Sequence, residues 1–231
     1  MFCDQCGTQI SSEQQFCPNC GRSFTGAPAA AAFVPPPVWT PPTSVQVHAG
    51  KWIGAGWALV KADMGAYVLA ALIFCLLSGV PFIQGALFAG FHIYTIKKMT
   101  GRRAEFGDLF KGFNYFIPTL VASLLIGVFT FIGTIFCIIP GLVVAAALKF
   151  TYLFIVDKRM DFWPAMQASH DVVKQDYFGF TMFLILAFLV NVLGFLCCVV
   201  GLLVTFPLTI AAITVAYQEI VGFDQRTIDA L

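Results

Sequence analysis

The sequence predicts an all-α membrane protein, with about six transmembrane helices set as three hairpins behind a small cysteine-bearing module. Three observations predict it. Of 231 residues, 59% are hydrophobic and only 11% are charged, where a soluble domain carries about 25%. The apolar residues fall in long blocks, and one crossing needs roughly 20 of them. Ionisable groups collect in the stretches between pairs of blocks.

Residues 1–24 form a polar, compact module, and nothing in the first 21 residues reads as a secretory signal. Residues 25–50 hold six prolines, four consecutive alanines and no Asp, Glu, Lys or Arg. That composition builds no core and reads as an extended, flexible linker. Residues 51–224 form the helical membrane domain, and 225–231 a short tail.

Within the membrane domain the blocks run 64–81, 82–97, 115–137, 141–157, 177–198 and 201–218. They pair through uncharged connections at Gly79-Val80-Pro81, Ile139-Pro140-Gly141 and Val200-Gly201. The pairs resemble copies of one unit, about 51–99, 104–158 and 161–222. Phe136-Cys137-Ile138-Ile139-Pro140-Gly141 aligns with Leu196-Cys197-Cys198-Val199-Val200-Gly201 at a spacing of about 60 residues. The first copy is weaker and short for two full crossings.

Each pair follows a candidate interfacial helix. Phe106, Leu109, Phe110 and Phe113 recur at helical spacing. Phe162, Met166, Ser169 and Val173 do so before the third pair, and Trp52, Gly56, Leu59 and Val60 before the first. Lys and Arg are absent from all three hairpin tips. By the positive-inside rule, one orientation satisfies every stretch: a multi-pass cell-membrane protein with both termini cytoplasmic.

Cys3-Asp4-Gln5-Cys6 and Cys17-Pro18-Asn19-Cys20 give a CxxC-x10-CxxC pattern. Two residues between cysteines let both thiolates face one ion from a tight turn, and two such turns close a tetrahedral site. Cys3, Cys6, Cys17 and Cys20 are therefore expected to hold one structural zinc ion in a small ribbon of short β structure. With four thiolates the site keeps no open position for substrate. The ribbon sets Asp4 and Glu13 against Arg22, which gives no phosphate-binding surface and argues against nucleic acid. A cytosolic protein partner, or self-association through the ribbon, fits better.

Polar residues inside the apolar blocks mark a candidate intramembrane site. Lys149 sits midway through its block, with Gln84 and Asn191 as weaker members. A charge at such depth faces protein or water more readily than lipid. His92 lies close to Lys97 and reads as interfacial. Lys97, Lys98, Arg102 and Arg103 form a candidate contact for anionic lipid, besides marking the cytosolic side. Cys75, Cys137, Cys197 and Cys198, near the hairpin tips, read as small buried apolar residues. No HExxH, GxSxG or Walker motif occurs. His170 and Asp171 are chain neighbours, which do not face one another on a helix.

The run from Val156 to Ser169, with Val172-Val173-Lys174, Tyr177-Phe178-Gly179-Phe180 and Phe106-Gly107-Asp108-Leu109-Phe110, resembles uncharacterised bacterial integral membrane proteins. These are similar in having repeated helical hairpins, and some in carrying an N-terminal zinc ribbon. The resemblance implies that architecture and a bacterial inner-membrane location, and supplies no catalytic residue. The expectation is a non-enzymatic, membrane-anchored docking or regulatory protein. The alternative is a small-solute transporter or channel built from the repeated hairpin.

Overall fold

The structure, a computed structural model, describes residues 5–9, 19–20, 39–136, 138–197 and 200–230. The chain divides into two compact units, Met1–Thr40 and Pro41–Leu231. The second is helical among its described residues. Helix α1 (Ala49–Ala62) is followed by α2 (Met64–Leu77), a 3-10 turn at Pro81–Ile83 and α3 (Gln84–Met99). A 3-10 segment, Phe106–Tyr115, leads into α4 (Phe116–Phe136), then α5 (Ile138–Ala147) and α6 (Thr151–Asp157). The chain closes with α7 (Phe162–Val173), α8 (Tyr177–Leu196), α9 (Leu202–Ile220) and α10 (Gln225–Ala230).

Among the described residues, four stretches are long and apolar enough to cross a membrane: Phe106–Phe136, Ile138–Asp157, Tyr177–Leu196 and Leu202–Ile220. The α1–α2 pair, bent by 99° at Asp63, would supply a fifth. Six were expected, and the difference lies in the first hairpin. Helix α3 has 16 residues, about 24 Å at helical rise, against a hydrocarbon layer of roughly 30 Å.

The core of this unit is built on α3. From Gly85 to Lys97 every residue except Phe88 is buried, and the helix packs on the 3-10 segment, α4, α6 and α9. Glycine permits the closest of these approaches. A Cβ at Gly90 would strike the Leu109 carbonyl, and one at Gly112 the Ala86 carbonyl. Phe74, Phe88, Phe91 and Phe206 interlock beside α3, with Phe74–Phe206 ring centroids 4.7 Å apart. Trp52 of α1 lies edge-on to Phe183 at 5.2 Å, and its indole N–H donates to Glu219 at 3.0 Å. Apolar faces pointing away from this core remain uncovered. Of α4 only Thr119 and Ala122 are buried.

The segment before α4 differs from expectation. Its apolar spacing suggested an α-helical stripe of Phe106, Leu109, Phe110 and Phe113. It folds as a 3-10 helix whose buried residues are Asp108, Leu109 and Gly112, while Phe106 and Phe110 are exposed. A three-residue turn aligns Leu109 with Gly112, and that row is narrow enough to lie against Gly90. Glu105 and Asp108 close its start with a capping box. The stripes on α1 and α7 fare differently: Trp52, Gly56 and Val60, and Met166, Ser169 and Val173, are all buried.

Two hairpin tips share a local construction. A Cβ at Gly141 would strike Thr134, and one at Gly201 would strike Gly194. The cysteines near the tips do not behave as buried small residues. Cys75 and Cys197 are exposed, because the tips reach past the packed core. Cys137 and Cys198 lie outside the residues whose side chains are described.

Charged groups are paired at one end of the bundle. Lys97, buried at 6% exposure, donates to Asp108 at 2.7 Å, and Lys111 reaches the same oxygen at 2.9 Å. Lys98 pairs with Asp63. Asp157 accepts from the Tyr217 hydroxyl and the Asp224 amide, both at 2.9 Å. The Thr227 hydroxyl donates to the Asp157 carbonyl at 2.6 Å, so the chain beyond α9 is pinned to the end of α6.

Candidate functional site

Two places carry the chemistry singled out in the sequence. In the N-terminal unit, Cys3 and Cys17 lie outside the described residues, while Cys6 and Cys20 lie within them. Gln5–Cys6 and Asn19–Cys20 are turns, as the two-residue spacing requires. Gly7 follows with φ +71°, a left-handed conformation natural to glycine. Cys6 Sγ lies 3.2 Å from the Thr8 hydroxyl, which can donate to a thiolate. These groups fit a zinc knuckle: a turn, a left-handed glycine and a donor beside sulfur. Thr8 was not marked by the cysteine spacing.

The second place is the break between α5 and α6. Leu148–Phe150 is a turn inside the Ile138–Asp157 span, though no glycine or proline stands there. Sharp breaks have identifiable causes, among them a side chain inserted into the backbone ladder. Here it is Ser169 of α7. Its hydroxyl donates to the Ala147 carbonyl at 2.7 Å and accepts from the Phe150 amide at 3.1 Å. One fully buried hydroxyl thus satisfies a carbonyl and an amide that the break leaves without helical partners. Tight bonds from the Lys149 amide to Ala146 and from the Thr151 amide to Leu148, at 3.2 and 3.3 Å, complete the turn.

Lys149 is carried by this turn and lines a cleft of about 560 Å³. Its walls come from α3, α4, α5, α6 and α9, with Phe88, Phe131, Ile210 and Ile213 among the apolar members. Two more polar groups line it. Thr130 Oγ1 is buried and has no hydrogen-bond partner among the described residues. His92 Nδ1 lies 2.9 Å from Thr214 Oγ1. The Thr214 hydroxyl is already donating to the Ile210 carbonyl at 2.8 Å, so Nδ1 is the donor and Nε2 is left for another group. Among the described residues Lys149 makes no ion pair or hydrogen bond.

The residues grouped from sequence are dispersed. Gln84 donates to the Ser78 carbonyl at 3.0 Å and fastens the turn after α2. Asn191 donates to Thr209 Oγ1 at 2.6 Å and ties α8 to α9. Neither lines the Lys149 cleft. His92, read as interfacial, does line it, because α3 is buried along its length. In the basic cluster, Lys97 and Lys98 face Asp108 and Asp63, and Arg102 stands 3.9 Å from Asp229. Arg103 is exposed and makes no ion pair among the described residues. Nothing local in sequence marks Thr130 or Ser169, since each owes its place to a distant helix.

Residues 2–24, which hold Cys3, Cys6, Cys17 and Cys20, match the zinc-ribbon domain family, and the match implies zinc binding. The chain is also similar to uncharacterised proteins of Mycobacterium bovis and Mycobacterium tuberculosis. Each is 30% identical over 103 residues, covering 45% of this chain and 32% of the relative. The chain thus spans about a third of the length of these curated relatives. No solved structure matches it.

Proposed function

We propose that this chain is a non-enzymatic, multi-pass membrane protein that presents a structural zinc ribbon to a protein partner or to a second copy of itself. The carrying observation is the ribbon's CxxC-x10-CxxC spacing: four thiolates would saturate the metal, which leaves the module a folding and recognition role. The proline- and alanine-rich segment 25–50 supplies reach. The long apolar helices supply the anchor. The lysine and arginine pattern favours cytoplasmic termini and three outward hairpins, and the shared packing at Gly141 and Gly201 favours their origin as a repeat.

Photo-crosslinking from Gln14 in the full chain, in intact bacteria, tests this. Wild type should yield a discrete crosslinked protein, and Cys17→Ser should lose it, because metal binding and folding of so small a module are one event. An unchanged adduct in Cys17→Ser, or none in wild type, counts against docking.

The broken span favours a second reading, a small-solute transporter, because interrupted membrane helices often surround a binding site. Flux in proteoliposomes that is lost in Lys149→Ala would favour it. Flux equal to empty vesicles in both proteins would remove it for the solutes tried.

A further inference from the structure

We propose that the cleft at the α5–α6 break binds a monoanionic amphiphile, with its charged head on Lys149 and its apolar tail against Phe88, Phe131 and Ile213. The proposal stands apart from the docking reading and does not require transport.

Three observations converge on one ligand class. The first is charge. Lys149 is half-buried, midway along an apolar stretch long enough to cross a membrane, and makes no ion pair or hydrogen bond among the described residues. An uncompensated cation at such depth is costly, and one negative charge balances it. Second is the polar lining. Thr130 Oγ1 is a buried hydroxyl with no partner among the described residues, able to donate to an anionic oxygen. A hydroxyl donor lining the same cleft as an ammonium suits a compact head such as carboxylate or phosphate, and His92 Nε2, an acceptor, takes no part in holding it. The third is the remaining wall, which is apolar. A sugar or an amino acid would leave its own polar groups unpaired against phenylalanine and isoleucine, a burial penalty that an alkyl chain avoids. The cleft, about 560 Å³, falls within the roughly 300–1,000 Å³ of small-molecule sites.

Depth narrows the choice further. Lys149 lies on the order of 12 Å of helical rise from Asp157, the nearer end of its span. An anion bound there has its head drawn below the headgroup plane. Ser169 is the positioning residue: by holding the break open it turns the Lys149 backbone out of the regular helix.

The full-length protein in delipidated micelles is photolabelled with a diazirine fatty acid and, in parallel, with the fatty alcohol of equal length. Labelled peptides are read by mass spectrometry. The acid should label α4, α5 or α9 peptides at least about tenfold more than the alcohol, the ratio expected of one charge-assisted contact. Lys149→Met should abolish that preference, and Lys149→Arg should keep it. Equal labelling by acid and alcohol in wild type overturns the proposal, and that comparison needs no variant to fold. Persistence of the preference in a folded Lys149→Met also overturns it, as snorkelling of Lys149 to the headgroups would predict. Competition identifies the source. Displacement by phosphatidylglycerol points to a bilayer lipid, and displacement by free fatty acid alone points to a soluble amphiphile. Full displacement by inorganic phosphate removes the role of the tail and contradicts the proposal.

Discussion

Helix α4 has 21 residues, none charged, yet only Thr119 and Ala122 are buried. Helix α3 has 16 residues, holds His92, Lys97 and Lys98, and is buried almost throughout. In a soluble protein the order would be reversed, and the proposed membrane setting accounts for the observed one. Lipid tails are as apolar as leucine, so an apolar helix gains little by leaving them. What draws helices together instead is close backbone approach and the pairing of polar groups. Glycines and a buried ion pair therefore mark the centre of this protein, and long runs of Ile, Leu and Phe mark its outer surface.

The strongest way to break this contrast is at Asp108. Asp108→Ala strands Lys97 without its closest carboxylate and should cost about 3–5 kcal/mol. Asp171→Ala, which removes the exposed Lys174 pair, should cost under about 1 kcal/mol. Denaturant unfolding in micelles compares them, and similar costs would refute a buried centre at α3. The next contrast is between glycines. Gly90→Val drives a side chain into the Leu109 backbone and should cost about 3 kcal/mol. A Cβ at Gly127 of α4 meets nothing within 4 Å, so Gly127→Ala should be neutral or stabilise by up to about 1 kcal/mol.

Ser169→Ala removes both hydrogen bonds at the break and should cost about 1–3 kcal/mol. Hydrogen exchange at the Phe150 amide should accelerate in this variant. Unchanged protection would mean that the break does not depend on α7. The smallest effect belongs to the outer surface. Ile135 is 68% exposed, and Ile135→Ala should move the unfolding midpoint by less than about 0.5 kcal/mol equivalent.

These contrasts also explain what could be read from sequence. Helices α4, α8 and α9 were legible because long uninterrupted apolarity favours a helix, and Gly201 marked one tip, whereas Ile139-Pro140-Gly141, expected as a connection, lies within α5. The zinc ribbon was legible because metal coordination fixes the spacing of its cysteines. The 3-10 form of Phe106–Tyr115 was not, because its choice depends on Gly90 and Ala86 one helix away. The α5–α6 break was hidden for the same reason: no local residue causes it, and Ser169 looked like one polar member of an amphipathic stripe. The cleft followed suit. Lys149 stood out alone, while Thr130 and His92 joined it only through packing.

The central claim is that lipid solvates α4 while protein surrounds α3. A small carbene-generating hydrophobic reagent, photolysed in nanodiscs holding the unmodified protein, tests it residue by residue. Heavy labelling is expected at Leu124, Ile132 and Ile135, which are exposed, and protection at the buried Ala89, Ile93 and Ile96. Labelling of the α3 residues equal to that of α4, or an α4 that reacts only with a water-borne reagent, would contradict it.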